Sequence, residues 1–187
     1  VVAWLGKALD TPLPPLGIAL GTLGGHLPEM EFWLPSERLP ARRIDALCRA
    51  HTLRGRARPA LPERELRGML MGFADLVFEH RGRYWVLDYK SNHLGSRDGD
   101  YDPEALERAM AEHRYDVQAT LYLLALHRLL AVRLGAGYDP ARHLGGAIHF
   151  FLRGINGPTR GCHVVPADPA LVAGIDALLR APEEPRS

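Results

Sequence analysis

Lysine is nearly absent from this chain of 187 residues. Its 23 Lys and Arg residues include only two lysines, Lys7 and Lys90, so arginine carries almost every positive charge. Lys90 lies in the stretch "YWVLDYKSN" (84–92), two positions after an aspartate that ends an apolar run. A lysine at this position, in a chain that otherwise uses arginine, indicates a role for a compact ammonium group that can also lose its proton.

Cysteine and long apolar runs are also scarce. Cys48 and Cys162 are too few for a disulfide framework, which favours a reducing cytoplasm. Cys48-x-x-His51 and Cys162-His163 lack the second ligand pair of a zinc finger, so we interpret them as ordinary core or surface residues. No apolar run approaches the ~20 residues of a membrane span, and we expect no membrane partner. With neither an initiator methionine nor a signal peptide, we expect the chain to be a piece of a longer protein.

Charge is nearly balanced, with a formal net charge of +1, and this neither requires nor excludes nucleic acid as a partner. The distribution along the chain is uneven. Six arginines lie between Arg49 and Arg67 against only two glutamates, Glu63 and Glu65. Two interpretations of this segment have about equal weight: a solvated loop, or a loop that contacts phosphate groups.

Apolar periodicity predicts an α/β fold, with a central mixed β-sheet flanked by helices. The predicted elements are a helix end (1–9), a proline-rich linker, a short strand (30–34), a helix (40–51), a β-hairpin (72–90), a helix from Pro103 to about Leu134 that is broken near Arg114, a strand (145–154), a further short strand at "CHVVPAD" and a C-terminal helix opened by Asp168 and Pro169. A long polar loop follows the hairpin and ends at Asp102, a good N-cap residue.

Two aspartates lie inside the apolar strands of this hairpin. Alternation places Asp88 and Lys90 on one face of the second strand, and Asp75 in one set with Phe73 and Val77 on the first strand. Two carboxylates held together out of water raise the pKa of one of them unless a cation neutralises both. Mg²⁺ suits such hard oxygen ligands. The structural alternative is an Asp–Lys ion pair at a strand end, with Asp75 unrelated to it.

A polar stripe on the long helix adds to this cluster. Tyr115, Gln118 and Tyr122 are spaced i, i+3, i+7 and share one face of an otherwise apolar helix. Buried tyrosines with satisfied hydrogen bonds are common, but a glutamine among leucines is less so. Directed at the strand ends, the stripe can order the two carboxylates and bind a phosphodiester.

Three segments, "GFADLVF", "VLDYKSN" and "YDVQATLYLLAL", closely resemble RecB-type nuclease domains of the PD-(D/E)XK nuclease superfamily. The strand segments "LPEMEFWLP" and "GGAIHFFLRG" extend the resemblance over residues of about 26 to 155. It implies a restriction-endonuclease-like core with domain boundaries at 26–187, preceded by a helix end and linker at 1–25.

The resemblance also implies Mg²⁺-dependent cleavage of DNA phosphodiesters. In this sequence the metal ligands would be Asp75, Asp88 and the backbone carbonyl of Tyr89, with Glu29 as a further candidate. Lys90 matches the lysine of the family motif. The catalytic set would be Asp75, Asp88, Lys90, Gln118 and Tyr122.

RecB-type nucleases carry a further histidine ligand on an upstream helix. "GTLGGH" (21–26) begins similarly but lacks the helical pattern, so His26 is not assigned this role, and we expect the helix to precede Val1. Expected partners are DNA, RecC-like and RecD-like subunits and RecA, in a bacterial cytoplasm. ATP would serve only a helicase part outside this chain, which contains no P-loop. The alternative function is a docking module, a nuclease fold that binds DNA or proteins without catalysis.

Overall fold

A central sheet and a small hairpin organise the computed structural model, which describes residues 2–180 apart from the side chains of residues 2, 3, 5, 37 and 38. The hairpin comprises β1 (Pro12–Leu13) and β2 (Ile18–Ala19), and the sheet comprises β3 (His26–Pro40), β4 (Glu65–His80), β5 (Arg83–Lys90), β6 (Leu144–Phe151) and β7 (Cys162–Pro166). The five sheet strands lie in chain order. Because β5 and β6 are parallel and the other neighbours antiparallel, the predicted mixed sheet is confirmed. Residues 181–187 of the predicted domain lie outside the described residues.

Six α-helices accompany the strands in the described part of the chain. They are α1 (Val2–Asp10), α2 (Ala41–His51), α3 (Pro103–Glu112), α4 (Tyr115–Leu134), α5 (Pro140–His143) and α6 (Pro169–Arg180). Asp102 caps α3 by accepting a hydrogen bond from the Ala105 amide at 2.8 Å, as its position before proline predicts. The predicted break is also present, since Arg114 adopts left-handed backbone angles between α3 and α4.

The sheet buries both of its faces in apolar clusters. On one face, residues of α2, α4 and α6 such as Ile44, Leu123 and Ile175 pack on the strands. On the other face, the N-terminal segment contributes Ala8 and Leu13. The segment predicted as a helix end and linker therefore covers part of the sheet, and its hairpin belongs to the packed structure.

Strand β3 extends over 15 residues, well beyond the predicted residues 30–34. It pairs with β4 along almost its whole length and forms one edge of the sheet. Prolines at positions 28, 35 and 40 argue against a long strand in the sequence pattern. An edge strand nevertheless tolerates proline because one side of its backbone has no ladder partner. The predicted hairpin between β4 and β5 is present and turns at Arg81 and Gly82, both of which have positive φ.

Helix α4, with the following turn to Gly137, has the length and hydropathy of a membrane span. This corrects the expectation that no such segment exists. Length and composition are the only basis for the match, and 44% of the 18-residue window is buried inside the protein. Because α4 packs on β6 and α6, its place in the core accounts for its apolar composition.

Neither interpretation of the arginine-rich segment, a solvated loop or a loop that contacts phosphate groups, accounts for all of its arginines. Arg58 is fully buried and its guanidinium contacts Asp116 at 2.6 Å. Arg49 donates hydrogen bonds to the carbonyls of Arg58 and Pro59, at 2.9 and 3.0 Å. Arg56 lies 3.5 Å from glutamates of α3. Several of these arginines therefore hold the segment against the helices.

Candidate active site

Asp88 and Lys90 lie at the end of β5, on the face that α4 covers. They are only 6% and 8% exposed, and the Lys90 Nζ approaches Asp88 Oδ2 at 2.5 Å. The ion pair of the structural alternative is thus present, but it is buried. A buried pair contributes little net stability because both charges lose their hydration. Such a pair at a strand end is therefore a candidate for a chemical role.

Helix α4 closes a ring of hydrogen bonds around this pair. The Tyr122 hydroxyl donates to Asp88 Oδ1 at 2.8 Å, and Gln118 Nε2 donates to the same hydroxyl oxygen at 2.7 Å. Lys90 Nζ donates to Gln118 Oε1 at 2.7 Å. Burial, followed by the charge of Asp88, raises the pKa of Tyr122, which therefore remains a protonated donor. The four side chains fix one another's orientation.

Tyr115 supports the ammonium from the other side. Lys90 Nζ lies 3.7 Å from the centre of its ring, within the range of a cation–π interaction. The Tyr115 hydroxyl donates to Asn92 Oδ1 at 3.2 Å, and its ring stacks with His113 and with His149 at centroid distances of 5.2 and 5.6 Å. His149 is fully buried, and burial and the nearby Lys90 lower its pKa, so this imidazole is neutral.

Strand alternation is interrupted at Asp75, which corrects the predicted set of Phe73, Asp75 and Val77. Val77 lies in the helix-covered core together with Ala74, whereas Phe73 is 52% exposed. The residue opposite on β3 is Glu29, whose φ of 48° is in the left-handed region. The strands are distorted locally here, so the residues of β4 before and after Asp75 do not alternate between the two faces of the sheet as one regular strand. The apolar pattern of the sequence does not predict this distortion.

Asp75 turns its carboxylate toward the end of β5. Its Oδ2 accepts a hydrogen bond from the Tyr89 amide at 2.7 Å, beyond the last paired residues of the β4–β5 ladder. Burial raises the pKa of Asp75, and the negative charges of Asp88 and Glu29 raise it further. The Tyr89 amide and Lys90 act in the opposite direction. Asp75, Asp88 and Glu29 therefore form one electrostatic cluster.

The chemistry of these donors fits a hard divalent cation. Asp88 Oδ2 is buried, and its described neighbour is the Lys90 ammonium at 2.5 Å, so this carboxylate oxygen keeps a further lone pair for a cation. Asp75 is half-buried among like charges, which a cation would relieve. Within residues 2–180, no three His, Cys, Asp or Glu side chains are gathered as a metal site. Two carboxylates supplemented by a carbonyl and water are nevertheless sufficient for Mg²⁺.

His26 lies beside the candidate ligands, whereas Cys48 and His51 are engaged with other residues. His26 begins β3 and lines a cleft of about 360 Å³ together with Glu29 and Asp75. Cys48 is fully buried, and burial raises the pKa of its thiol to about 11. His51 Nδ1 lies 2.7 Å from Asp168 Oδ2. The cysteine at position 48 is a core residue, as predicted.

Sequence reasoning missed two members of the site, Asn92 and His149. A histidine in the otherwise apolar strand "GGAIHFF" was an available signal for the second. Asn92 gave none, because an asparagine in a polar loop is ordinary. Its contact with Tyr115 depends on how the loop after β5 folds back toward α4.

The ring of hydrogen bonds leads to a first prediction. Replacing Tyr122 by phenylalanine leaves Asp88 Oδ1 and Gln118 Nε2 without their shared partner. We expect the free energy of unfolding to fall by about 1–3 kcal/mol, the cost of unsatisfied buried polar groups. Urea denaturation followed by circular dichroism measures it. A matched control is Tyr138→Phe, whose hydroxyl contacts His127 at 2.8 Å outside this site. If the free energy of unfolding of Tyr122→Phe, like that of the control, equalled that of wild type, the ring of hydrogen bonds around Asp88 would be contradicted.

Comparison with known proteins agrees with these features. The PD-(D/E)XK nuclease superfamily matches residues 22–175. The chain is 43% identical to RecBCD enzyme subunit RecB of Escherichia coli over 180 residues, which is 94% of this chain and 15% of that protein. The same subunit of Haemophilus influenzae is 41% identical over 82% of the chain and 13% of its own length.

The chain thus spans less than a sixth of the length of these curated relatives. The resemblance to RecB-type nuclease domains is confirmed, as is the predicted fold class. The chain belongs to the PD-(D/E)XK nuclease superfamily.

Proposed function

We propose that this chain is a Mg²⁺-dependent deoxyribonuclease domain of the exodeoxyribonuclease V type, which hydrolyses DNA phosphodiesters in the repair and recombination of double-strand breaks. The observation that carries the proposal is the buried Asp88–Lys90 pair beside Asp75, ordered by Gln118 and Tyr122. Membership of a nuclease superfamily supports it.

Each member of the site has a proposed role. Asp75, Asp88 and the Tyr89 carbonyl would hold Mg²⁺, with Glu29, which lines a cleft together with Asp75, as a further candidate. The metal supplies Lewis acidity at the scissile phosphate and lowers the pKa of the attacking water. Lys90 orients that water or stabilises phosphate charge, and Gln118 holds the ammonium in place through its 2.7 Å hydrogen bond.

Partners are proposed from the relatives, which are named as RecB subunits of RecBCD enzymes. They are DNA, RecC-like and RecD-like subunits, and RecA. ATP would be used by a helicase part of a longer protein. A bacterial cytoplasmic location follows from the same proposal.

The direct test is degradation of linear DNA by the purified chain with Mg²⁺ and with EDTA. We expect cleavage only with Mg²⁺. A longer chain of the RecB type, carrying further upstream sequence, provides the second arm. Absence of Mg²⁺-dependent cleavage in both chains would reject the nuclease function.

A docking module remains the second candidate because no three ligand side chains are gathered within the described residues. Calorimetric titration with Mg²⁺ or Mn²⁺ separates the two functions. A nuclease site should give binding heat that Asp75→Ala removes. A docking module should give no site-specific heat in either protein.

The raised pKa of Asp75 predicts how metal binding depends on pH. Because burial and the neighbouring carboxylates favour the protonated form, Asp75 must lose a proton at a higher pH than an exposed aspartate before it can bind Mg²⁺. Affinity should therefore decline as pH falls through this raised pKa. Titrations at several pH values between about 7 and 4 measure it, and Asp75→Asn should flatten the dependence. The same pH profile in wild type and Asp75→Asn would contradict this assignment.

A further inference from the structure

A cleft of about 720 Å³ opens directly beyond Lys90. Its walls are the loop that follows β5, the turn that follows β6, and α1. Ser91, Arg97 and Arg153 are among its polar lining residues, and Trp4 contributes an aromatic side chain to the lining. Because β5 and β6 are parallel, the loop after β5 and the turn after β6 leave the sheet at the same end, where β5 carries Asp88 and Lys90.

Arg153 is held in position by Ser91, the residue that follows the strand carrying the proposed catalytic residues. Its Nε donates to the Ser91 carbonyl at 3.0 Å, which leaves the two terminal nitrogens of the guanidinium for another acceptor. Arg153 is exposed and makes no ion pair with the acidic side chains of residues 2–180 described here. Arg97 is also exposed, although it lies 3.3 Å from Asp100. With Arg97 paired to Asp100, Arg153 is the arginine of the described cleft lining that has no ion-pair partner, and Asp98 is the acidic residue of that lining.

Trp4 adds an aromatic side chain to the lining of the cleft. It is 39% exposed although it is a large apolar side chain on a helix that packs on the sheet. A cleft lined by both guanidinium groups and an indole suits a ligand that combines an anion with a flat ring. A nucleotide has both, and the volume is sufficient for one.

We infer that this cleft binds the nucleotide next to the scissile phosphodiester, with its phosphate on Arg153 and its base stacked on Trp4. The inference rests on the proposed nuclease function. It assigns a binding subsite to residues outside the ring around Lys90. In this arrangement the anchored Arg153 fixes the register of the DNA strand relative to Asp88.

Binding without cleavage tests the subsite independently of catalysis. The probe is a fluorescein-labelled single-stranded 12-mer oligonucleotide, titrated in EDTA and followed by fluorescence anisotropy. We expect Kd to rise about tenfold in Arg153→Gln through loss of a charge-assisted hydrogen bond, and about tenfold in Trp4→Leu through loss of stacking. The matched control is Arg81→Gln, which removes the same charge at the opposite end of β5. Circular dichroism verifies that each variant is folded.

The outcomes distinguish the possibilities. An equal Kd for Arg153→Gln, Trp4→Leu and Arg81→Gln overturns the subsite, as does an absence of oligonucleotide binding by wild type. An effect of Trp4→Leu alone overturns the phosphate contact at Arg153. Selective loss of binding in both variants, together with no Mg²⁺-dependent cleavage by this chain or by the longer chain, retains the cleft as an oligonucleotide-binding site and rejects the nuclease function.

Discussion

Replacing Asp88 by asparagine is expected to lower the rate of Mg²⁺-dependent DNA cleavage by at least about 100-fold. Loss of a group that merely supports a metal ligand costs about 10- to 100-fold, and a direct ligand should cost more. Asparagine has the size of aspartate, and its carbonyl can still accept the hydrogen bond from Tyr122. The substitution therefore removes the negative charge and leaves the shape of the site nearly unchanged.

Two consequences of the lost charge act together. A neutral amide binds Mg²⁺ more weakly than a carboxylate, and Lys90 loses the counter-ion that lies 2.5 Å from its Nζ. A buried ammonium without its counter-ion is unfavourable, and Lys90 is only 8% exposed, so its displacement from the site is favoured. Displacement would remove the group proposed to orient the attacking water.

A matched control isolates this effect from a general loss of charge. Asp176→Asn removes one carboxylate from α6, where Asp176 contacts Arg128 at 2.7 Å and Arg180 at 2.8 Å. Initial rates are compared per mole of folded protein, determined from circular dichroism. Activity in Asp88→Asn equal to that of Asp176→Asn would exclude Asp88 from the proposed catalytic site.

Much of this site was accessible from the sequence because its geometry is largely periodic. Alternation along β5 places Asp88 and Lys90 on one face, and the i, i+3, i+7 spacing places Tyr115, Gln118 and Tyr122 on one side of α4. Their contacts required only that α4 pack on that face of the sheet. Burial of an apolar helix makes this arrangement favourable.

The remaining features depend on interactions between distant segments or on local backbone angles. The interrupted alternation at Asp75 arises from a left-handed residue, Glu29, which the apolar pattern does not encode. His149 and Asn92 join the site through stacking and hydrogen bonding with Tyr115. The role of Arg58 was equally inaccessible, because its partner Asp116 lies 58 positions along the chain.

That buried pair leads to the largest expected change in stability, in Asp116→Asn. Neither side chain of the Arg58–Asp116 pair is exposed, and Nη1 of Arg58 lies 2.6 Å from Asp116 Oδ2. Arg114 also contacts Asp116, at 3.0 Å. Removing the carboxylate charge leaves the buried Arg58 guanidinium without its counter-ion. The free energy of unfolding should fall by about 3–5 kcal/mol, a large fraction of the 5–15 kcal/mol typical of a domain.

Urea denaturation of wild type, Asp116→Asn and Asp176→Asn measures this difference. The control pairs are partly exposed, so their loss should cost about 0–1 kcal/mol. A double variant, Arg58→Met with Asp116→Leu, replaces both charges by apolar groups and should be more stable than Asp116→Asn alone, because no buried charge remains unpaired. Equal stabilities of Asp116→Asn and Asp176→Asn would show that the pair does not hold the arginine-rich segment against α4. If instead the double variant were destabilised and Asp116→Asn were not, the loss of stability would come from altered packing and not from an unpaired buried charge.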